Sequence, residues 1–246
     1  MPRIHLYSTE TPKEDGHWLL PPAPSHHLLR VLRGRPGQEL TLFTGDGRDY
    51  PAELLGARGK QALLAVGRAR WRDTGSPLQC CLWLPVIRAE RWDWALQKAT
   101  ELGAWALQPV VCRHSLVPLA EARAPKRQQR WRDIVIAACE QSSATRIPEL
   151  RPAMALSELG PPEVDLAVVC DPSYGTSLGK VLGTRRSARR IALLCGPEGG
   201  LHPEELAWAE SLGFLGAHLG PRILRAETAS ITALSLAQGF LGDLGG

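Results

Sequence analysis

Two apolar runs in the C-terminal half of this chain each stop abruptly at a Gly-Pro pair. The first covers residues 191–195 and meets Gly196-Pro197, and the second covers residues 214–219 and meets Gly220-Pro221. Short apolar runs bounded by Gly and Pro are typical of buried strands, so each run predicts a strand that ends in a loop.

Both predicted loops lead towards a helix, and the first is rich in glycine. Gly196, Gly199 and Gly200 carry no Cβ, so they would let the main chain come close to a ligand. Two such loops place free amides and carbonyls side by side, which suits a small polar cofactor held mainly by the backbone. The alternative left open by these residues is a pair of ordinary strand-to-helix turns.

The surrounding sequence predicts an α/β domain over residues 78–246. Apolar runs alternate with helical patterns, which favours a largely parallel sheet covered on both faces. The strands are expected at 78–87, 106–111, 165–170, 191–195 and 214–219, and the helices at 89–102 (ended by Gly103), at 121–141, from Pro203 onwards and at 226–241. Trp92, Trp94 and Trp105 are expected to pack in the core of this domain.

The first 71 residues have a different pattern. Short β-prone runs at 3–7, 39–43, 50–55 and 62–66, separated by Gly, Pro and Asp, predict a small β-barrel with one short helix at 24–33. Residues 72–77 have the composition of a linker. We therefore predict two domains, 1–71 and 78–246.

Composition narrows the class of protein. No apolar run approaches the roughly 20 residues of a membrane-spanning helix, and the start of the chain has no signal-peptide pattern, which predicts a cytoplasmic protein without a membrane partner. The six cysteines and seven histidines lack metal-ligand spacing, so no metal site is expected. The net charge of +4 is modest, and most basic residues are arginines, which suit RNA or reflect a GC-rich genome.

The residues of the two Gly-Pro loops resemble the cofactor loops of the SPOUT class of RNA methyltransferases. The matching segments are Gly-Pro-Glu-Gly-Gly at 196–200 and Leu-Gly-Pro-Arg-Ile-Leu-Arg-Ala-Glu-Thr-Ala at 219–229. Within that class the chain is similar to the 16S ribosomal RNA uridine-N3 methyltransferases, the small-subunit methyltransferase E family. Residues 27–33, 97–103 and 137–141 extend the similarity across nearly the whole chain.

The resemblance implies an architecture and a reaction. Residues 1–71 would form a PUA-like β-barrel that binds RNA, and residues 78–246 a parallel-sheet catalytic domain whose C-terminal part makes a trefoil knot. S-adenosylmethionine would be the cofactor, and the methyl acceptor would be N3 of a uridine in 16S ribosomal RNA or the small ribosomal subunit. The family further implies a homodimer that is joined through the catalytic domain, with the final helix at the contact. The alternative for that helix is packing within its own domain.

The resemblance also implies a set of cofactor-binding residues that come from both loops. They are Leu194, Gly196, Pro197, Glu198, Gly200, Leu219, Gly220, Arg222, Ile223, Leu224 and Thr228.

Two further residues have chemistry that suits the reaction. Uridine N3 carries a proton and is a poor nucleophile while it does, so a proton acceptor or a stabilising cation is needed. Arg225 is predicted to stabilise charge, and Glu227 to accept the proton. The alternatives are that Glu227 caps the final helix, and that Arg225 binds phosphate or pairs with Glu227.

Basic clusters are the candidate RNA contacts. Arg30 and Arg33 match the family's RNA-binding domain, whereas Lys126, Arg127 and Arg130 recur at helical spacing and would contact phosphates. A solvated helix face is the alternative for the latter group.

One segment departs from the family. Relatives typically have Ser-Glu-Arg after the second strand of the catalytic domain, and this chain has Cys112-Arg113-His114. Arg113 and His114 keep a basic character and are predicted RNA contacts, but a mechanism that requires the acid would not apply here.

Two other functions stay open. The chain could be a related SPOUT enzyme that acts on another RNA or another atom, or an RNA-binding ribosome-assembly protein without catalysis. The intact glycine loops, together with Arg225 and Glu227, argue against a loss of catalysis.

Overall fold

The computed structural model describes residues 4–245, which divide into two compact units. Unit 1 contains the chain up to Gly75 together with Cys139–Ile147, and unit 2 contains Ser76–Ala138 and the chain from Pro148 onwards. Residue 3, where the first strand is predicted to begin, lies outside the described residues.

The segment Cys139–Ile147 belongs to unit 1 although it lies inside the predicted domain 78–246, and the boundary between Gly75 and Ser76 falls inside the predicted linker 72–77. Hydrogen bonds explain its position in unit 1. Thr145 Oγ1 donates to the Arg72 carbonyl over 2.6 Å, and the Arg146 guanidinium bonds the Asp73 carboxylate at 2.7 Å and lowers the pKa of Asp73. Because these partners are 73 positions apart, they leave no local signal in the sequence.

Unit 1 is built on a six-stranded sheet with the order β1-β3-β4-β5-β2, and β6 lies beside β4. Its strands are β1 (Ile4–Tyr7), β2 (Gly16–Leu19), β3 (Gln38–Phe43), β4 (Arg48–Arg58), β5 (Gln61–Val66) and β6 (Arg70–Trp71). β1 and β3 are parallel, and the other pairs are antiparallel. Burial alternates along β5, so one face of this strand contributes to a core that includes Leu42, Tyr50 and Leu64.

The predicted helix at 24–33 is a short α-helix followed by a wider turn. α1 (Pro22–His26) continues into a π-helical turn at His27–Val31, in which Leu32 N donates to the His27 carbonyl. The turn buries Leu28 and leaves Arg30 exposed.

Unit 2 is built on a seven-stranded sheet in which every strand pair is parallel, which confirms the predicted parallel sheet. The order is β10-β8-β7-β12-β11-β13, with β9 beside β8. The strands are β7 (Gln79–Pro85), β8 (Ala106–Val111), β9 (Glu149–Leu150), β10 (Met154–Ala155), β11 (Leu166–Cys170), β12 (Arg190–Cys195) and β13 (Phe214–Ala217). β11 is buried at every position, as expected for a strand covered on both faces.

The helices of unit 2 are α2 (Ala89–Glu101), α3 (Leu119–Ala122), α4 (Pro125–Ser142, whose last four residues belong to unit 1), α5 (Leu178–Gly183), α6 (Pro203–Ser211) and α7 (Ala226–Leu241), with a 3-10 turn at Leu156–Glu158. Gly103 has a φ of +74° and ends α2 as predicted. The single helix predicted over 121–141 is wrong at its start. A new helix begins at Pro125, because proline lacks an amide hydrogen and fits only the first turn of a helix.

The three tryptophans predicted for the core have different environments. Trp92 is buried and contacts Trp131, with ring centroids 4.8 Å apart, which confirms the prediction for Trp92. Trp94 and Trp105 are 43% and 42% exposed, so the prediction was wrong for both. Two helical positions turn the chain by roughly 200°, which puts Trp94 on the opposite face of α2 from Trp92, and Trp105 precedes β8.

Candidate functional site

Both Gly-Pro loops leave the sheet of unit 2 at the same edge. Cys170 at the end of β11 is in register with Cys195 of β12 and with Ala217 of β13, so three loops begin side by side. Gly200 has a φ of +71° and Gly220 a φ of +103°, which are backbone conformations that favour glycine. The two loops therefore depend on glycine at these positions.

A cavity of about 130 Å³ lies between the loops. It is lined by Cys170, Asp171, Pro172, Gly196, Pro197, Glu198, Gly200, Leu219, Gly220, Arg222, Ile223, Leu224, Ala226 and Ala229. The structure thus brings together all the predicted cofactor residues except Leu194, which is buried in β12, and Thr228, which is exposed in the first turn of α7. A Cβ on Gly200 or Gly220 would meet no atom within 4 Å, so both glycines border open space.

A third loop, which follows β11, contributes to the cavity and was not predicted. Asp171 and Pro172 belong to it, and the signal that could have found them is the parallel neighbour relation between β11 and β12. The Cys170 thiol also lines the cavity. A hydrogen bond with the Cys195 thiol, together with burial, raises the pKa of Cys170 well above its ordinary value. Cys170 is therefore a neutral thiol, not a thiolate nucleophile.

Glu227 is buried in the first turn of α7, next to Ala226 of the cavity wall. Its Oε1 lies 3.8 Å from Nε of Arg91 in the first turn of α2, and its Oε2 has no hydrogen-bond partner among residues 4–245. Arg225 is exposed and is the N-cap of α7, which has no side-chain cap. Glu227 therefore pairs with Arg91 and not with Arg225, and no local pattern in the sequence indicates this role of Arg91.

Arg113 and His114 follow β8 and lie beside the first Gly-Pro loop. Arg113 donates to the Glu204 carboxylate over 3.0 Å, and His114 Nδ1 is 3.1 Å from the Gly200 carbonyl. Both side chains are exposed, and both already have partners within unit 2.

The remaining predicted RNA contacts differ in how much charge they leave free. Arg30 and Arg33 are exposed in unit 1, and neither has an acidic partner within 4 Å in the described part of the chain. Lys126 on α4 is exposed as well, whereas Arg127 pairs with Glu121 and Arg130 with Asp93. The charges of Arg127 and Arg130 are thus partly neutralised, whereas Lys126 has no acidic partner within 4 Å among the described residues.

Within residues 4–245, no three His, Cys, Asp or Glu side chains lie close enough together to hold a metal ion. No helix in that range is long and apolar enough to cross a membrane.

Comparison with known proteins identifies the family. A model of the RNA methyltransferase domain matches residues 74–238, and a model of the RNA methyltransferase PUA domain matches residues 22–66. The chain is 31% identical to ribosomal RNA small subunit methyltransferase E of a Synechocystis species, over 89% of this chain and 72% of that one. It belongs to the small subunit methyltransferase E family.

Solved structures agree with this assignment. The methyltransferase E structure from Neisseria gonorrhoeae, solved with S-adenosylmethionine, is 33% identical, with a TM-score of 0.89 over 98% of this chain and 99% of that one. A methyltransferase from Legionella pneumophila with the same bound cofactor is 31% identical, with a TM-score of 0.91 over 99% of this chain and all of that one. The chain is thus a member of an RNA methyltransferase family, and its PUA domain lies in unit 1.

Proposed function

We propose that this protein transfers a methyl group from S-adenosylmethionine to N3 of a uridine in 16S ribosomal RNA. The observation that carries the proposal is the cavity between the two Gly-Pro loops, in a chain of the methyltransferase E family. The choice of N3 and of 16S RNA comes from the family resemblance.

The residues present fit S-adenosylmethionine. Gly200 and Gly220 border open space without a Cβ, so their peptide groups can approach an adenosyl ligand closely. The cavity is smaller than the pockets of about 300 to 1,000 Å³ that ligands usually occupy, so the exposed side chains of Arg222 and Ile223 would cover the part of the ligand outside it. When bound, S-adenosylmethionine supplies a methyl group that its sulfonium has already activated.

Glu227 and Arg225 would prepare the acceptor nitrogen. Glu227 has one carboxylate oxygen, Oε2, without a partner, and this oxygen would take the proton of uridine N3. Arg225 is exposed at the edge of the second loop, where its guanidinium would stabilise the negative charge that spreads onto the uracil carbonyl oxygens. Arg91 would keep Oε1 of Glu227 occupied, which leaves Oε2 for the proton.

RNA would be held mainly through phosphate contacts. Arg30 and Arg33 present exposed charges in the unit that the PUA-domain model matches, and Lys126 presents another in unit 2. Such contacts give affinity without reading sequence, so the acceptor uridine would be selected by RNA shape and by the pocket. A ribosomal RNA substrate implies that the protein acts in the cytoplasm.

We also propose the trefoil knot, the PUA-like barrel and the homodimer that the resemblance implies. Ile223 on the second loop is 83% exposed and Phe240 near the C-terminal end of α7 is 39% exposed, and such exposed apolar side chains support a protein contact. A dimer contact that includes the second loop and the C-terminal end of α7 would cover both side chains.

The proposed reaction is tested by mapping modified nucleotides of 16S ribosomal RNA from a deletion strain by mass spectrometry. The expected result is the loss of one 3-methyluridine, which the wild-type gene restores. Retention of that nucleotide would overturn the substrate assignment.

Glu227→Gln should slow methyl transfer by about 10²- to 10⁴-fold, since a general base contributes that much, and the cofactor affinity should stay unchanged. Calorimetry with S-adenosylmethionine distinguishes the proposed enzyme, which should bind the cofactor, from a ribosome-assembly protein without catalysis, which should show no binding at millimolar cofactor.

A further inference from the structure

The loop after β8 packs directly on the first Gly-Pro loop. A Cβ at Gly199 would lie only 2.8 Å from Cβ of His114, which is closer than real Cβ atoms come, so the backbone of Gly199 lies against the His114 side chain without room for a side chain of its own. His114 Nδ1 lies 3.1 Å from the carbonyl oxygen of Gly200. A carbonyl can only accept, so His114 donates through a proton on Nδ1.

Glu205 also connects the two segments, through its two carboxylate oxygens. Its Oε1 accepts from the backbone amide of Arg113, and its Oε2 accepts from the backbone amide of His202, each over 2.8 Å. One amide belongs to the loop after β8, and the other follows the first Gly-Pro loop. Only a carboxylate offers two acceptor oxygens in this arrangement, because a glutamine amide has one oxygen and one donor nitrogen.

We propose that Glu205 and His114, named here the latch, are positioning residues that hold the loop 196–200 in its cofactor-binding conformation. Neither residue of the latch lines the cavity, and the latch acts through the peptide groups of Gly199 and Gly200. The proposal rests on the proposed cofactor site. It gives His114 a role in cofactor affinity in place of the RNA contact predicted from the sequence.

The physical reason is preorganisation. A loop that is held in its bound conformation loses less conformational entropy when a ligand binds, so releasing it weakens affinity without removing a contact to the ligand. The neighbouring carboxylate provides an internal comparison. Glu204 forms an ion pair with Arg113, and the two side chains are 74% exposed for Glu204 and 53% exposed for Arg113. Ion pairs as exposed as this one contribute little to stability.

The experiment compares Glu205→Gln with its matched control Glu204→Gln. We expect Glu205→Gln to raise the Kd and KM for S-adenosylmethionine about tenfold, in line with the loss of a hydrogen bond to a charged group. At saturating cofactor, kcat and the affinity for 16S RNA should stay at the wild-type values. Glu204→Gln should leave all four quantities unchanged.

His114 provides a second test that does not depend on the folding of the Glu205 variant, because its side chain is exposed. His114→Ala should weaken cofactor binding, and His114→Asn should restore it, since the asparagine amide can donate from the place of Nδ1. A loss of RNA affinity with unchanged cofactor affinity would overturn the latch and support the RNA contact. If wild-type protein binds S-adenosylmethionine and Glu205→Gln binds it equally well, the latch fails while the proposed function stands.

Discussion

Gly196 is a position in the proposed cofactor site at which a single added methyl group would press on the loop backbone. A Cβ at this residue would lie 2.9 Å from the amide nitrogen of Leu201 and 3.1 Å from the carbonyl carbon of Gly200. Both atoms belong to the backbone and cannot rotate away. To reach an ordinary contact of 3.4 Å, the loop has to open by about half an ångström.

This displacement sets the expected magnitude for Gly196→Ala. Overpacking of this kind typically costs about 1 to 3 kcal/mol, which corresponds to a rise of about 5- to 150-fold in Kd if the strain falls on the bound loop. We expect isothermal titration calorimetry with S-adenosylmethionine to show that rise.

The matched control is Gly160→Ala. A Cβ at Gly160 meets no atom within 4 Å, and its φ lies outside the range that favours glycine, so neither affinity nor stability should change. If Gly196→Ala has the cofactor affinity and the melting temperature of the wild type, a Cβ at this position does not displace the loop, and the reasoning is refuted.

Three further predictions concern the ion pairs and the core. Arg91→Met should lower kcat without raising the KM for S-adenosylmethionine, because Glu227 loses its partner; unchanged kcat would exclude Arg91 from orienting Glu227. Trp92→Ala should reduce the free energy of unfolding by about 3 to 5 kcal/mol in urea titrations, because Trp92 is buried against Trp131; a loss below 1 kcal/mol would contradict this packing. Arg146 lowers the pKa of Asp73, so their pair stabilises the fold above the ordinary aspartate pKa of about 4 and loses its effect as the pH falls through the lowered value. Asp73→Asn should therefore lower the free energy of unfolding at pH 7 by less than about 1 kcal/mol, because the pair is largely exposed. When melting temperature is plotted against pH, the curves of the variant and the wild type should converge in acid.

Local sequence determined the elements that carry the site. Residues 191–195 are apolar at every position, and all of β12 after Arg190 is buried, so a strand covered on both faces was visible in the sequence. The Gly-Pro ends and the glycines that adopt positive φ were equally visible, because a backbone conformation that favours one residue type leaves that residue in the sequence. Proline at 125 also marked the start of α4, and the prediction of one long helix overlooked it.

Only the tertiary structure decided which distant residues meet. Arg91 reaches Glu227 because α2 packs on α7, and Asp171 joins the cavity because β11 lies between β12 and β13. Glu205 and His114 bond to residues that are about 90 positions away in the chain, and Thr145 bonds the segment 139–147 to Arg72 of unit 1. These contacts depend on strand order and helix packing, which sum weak interactions over the whole chain, and therefore no short window of sequence encodes them.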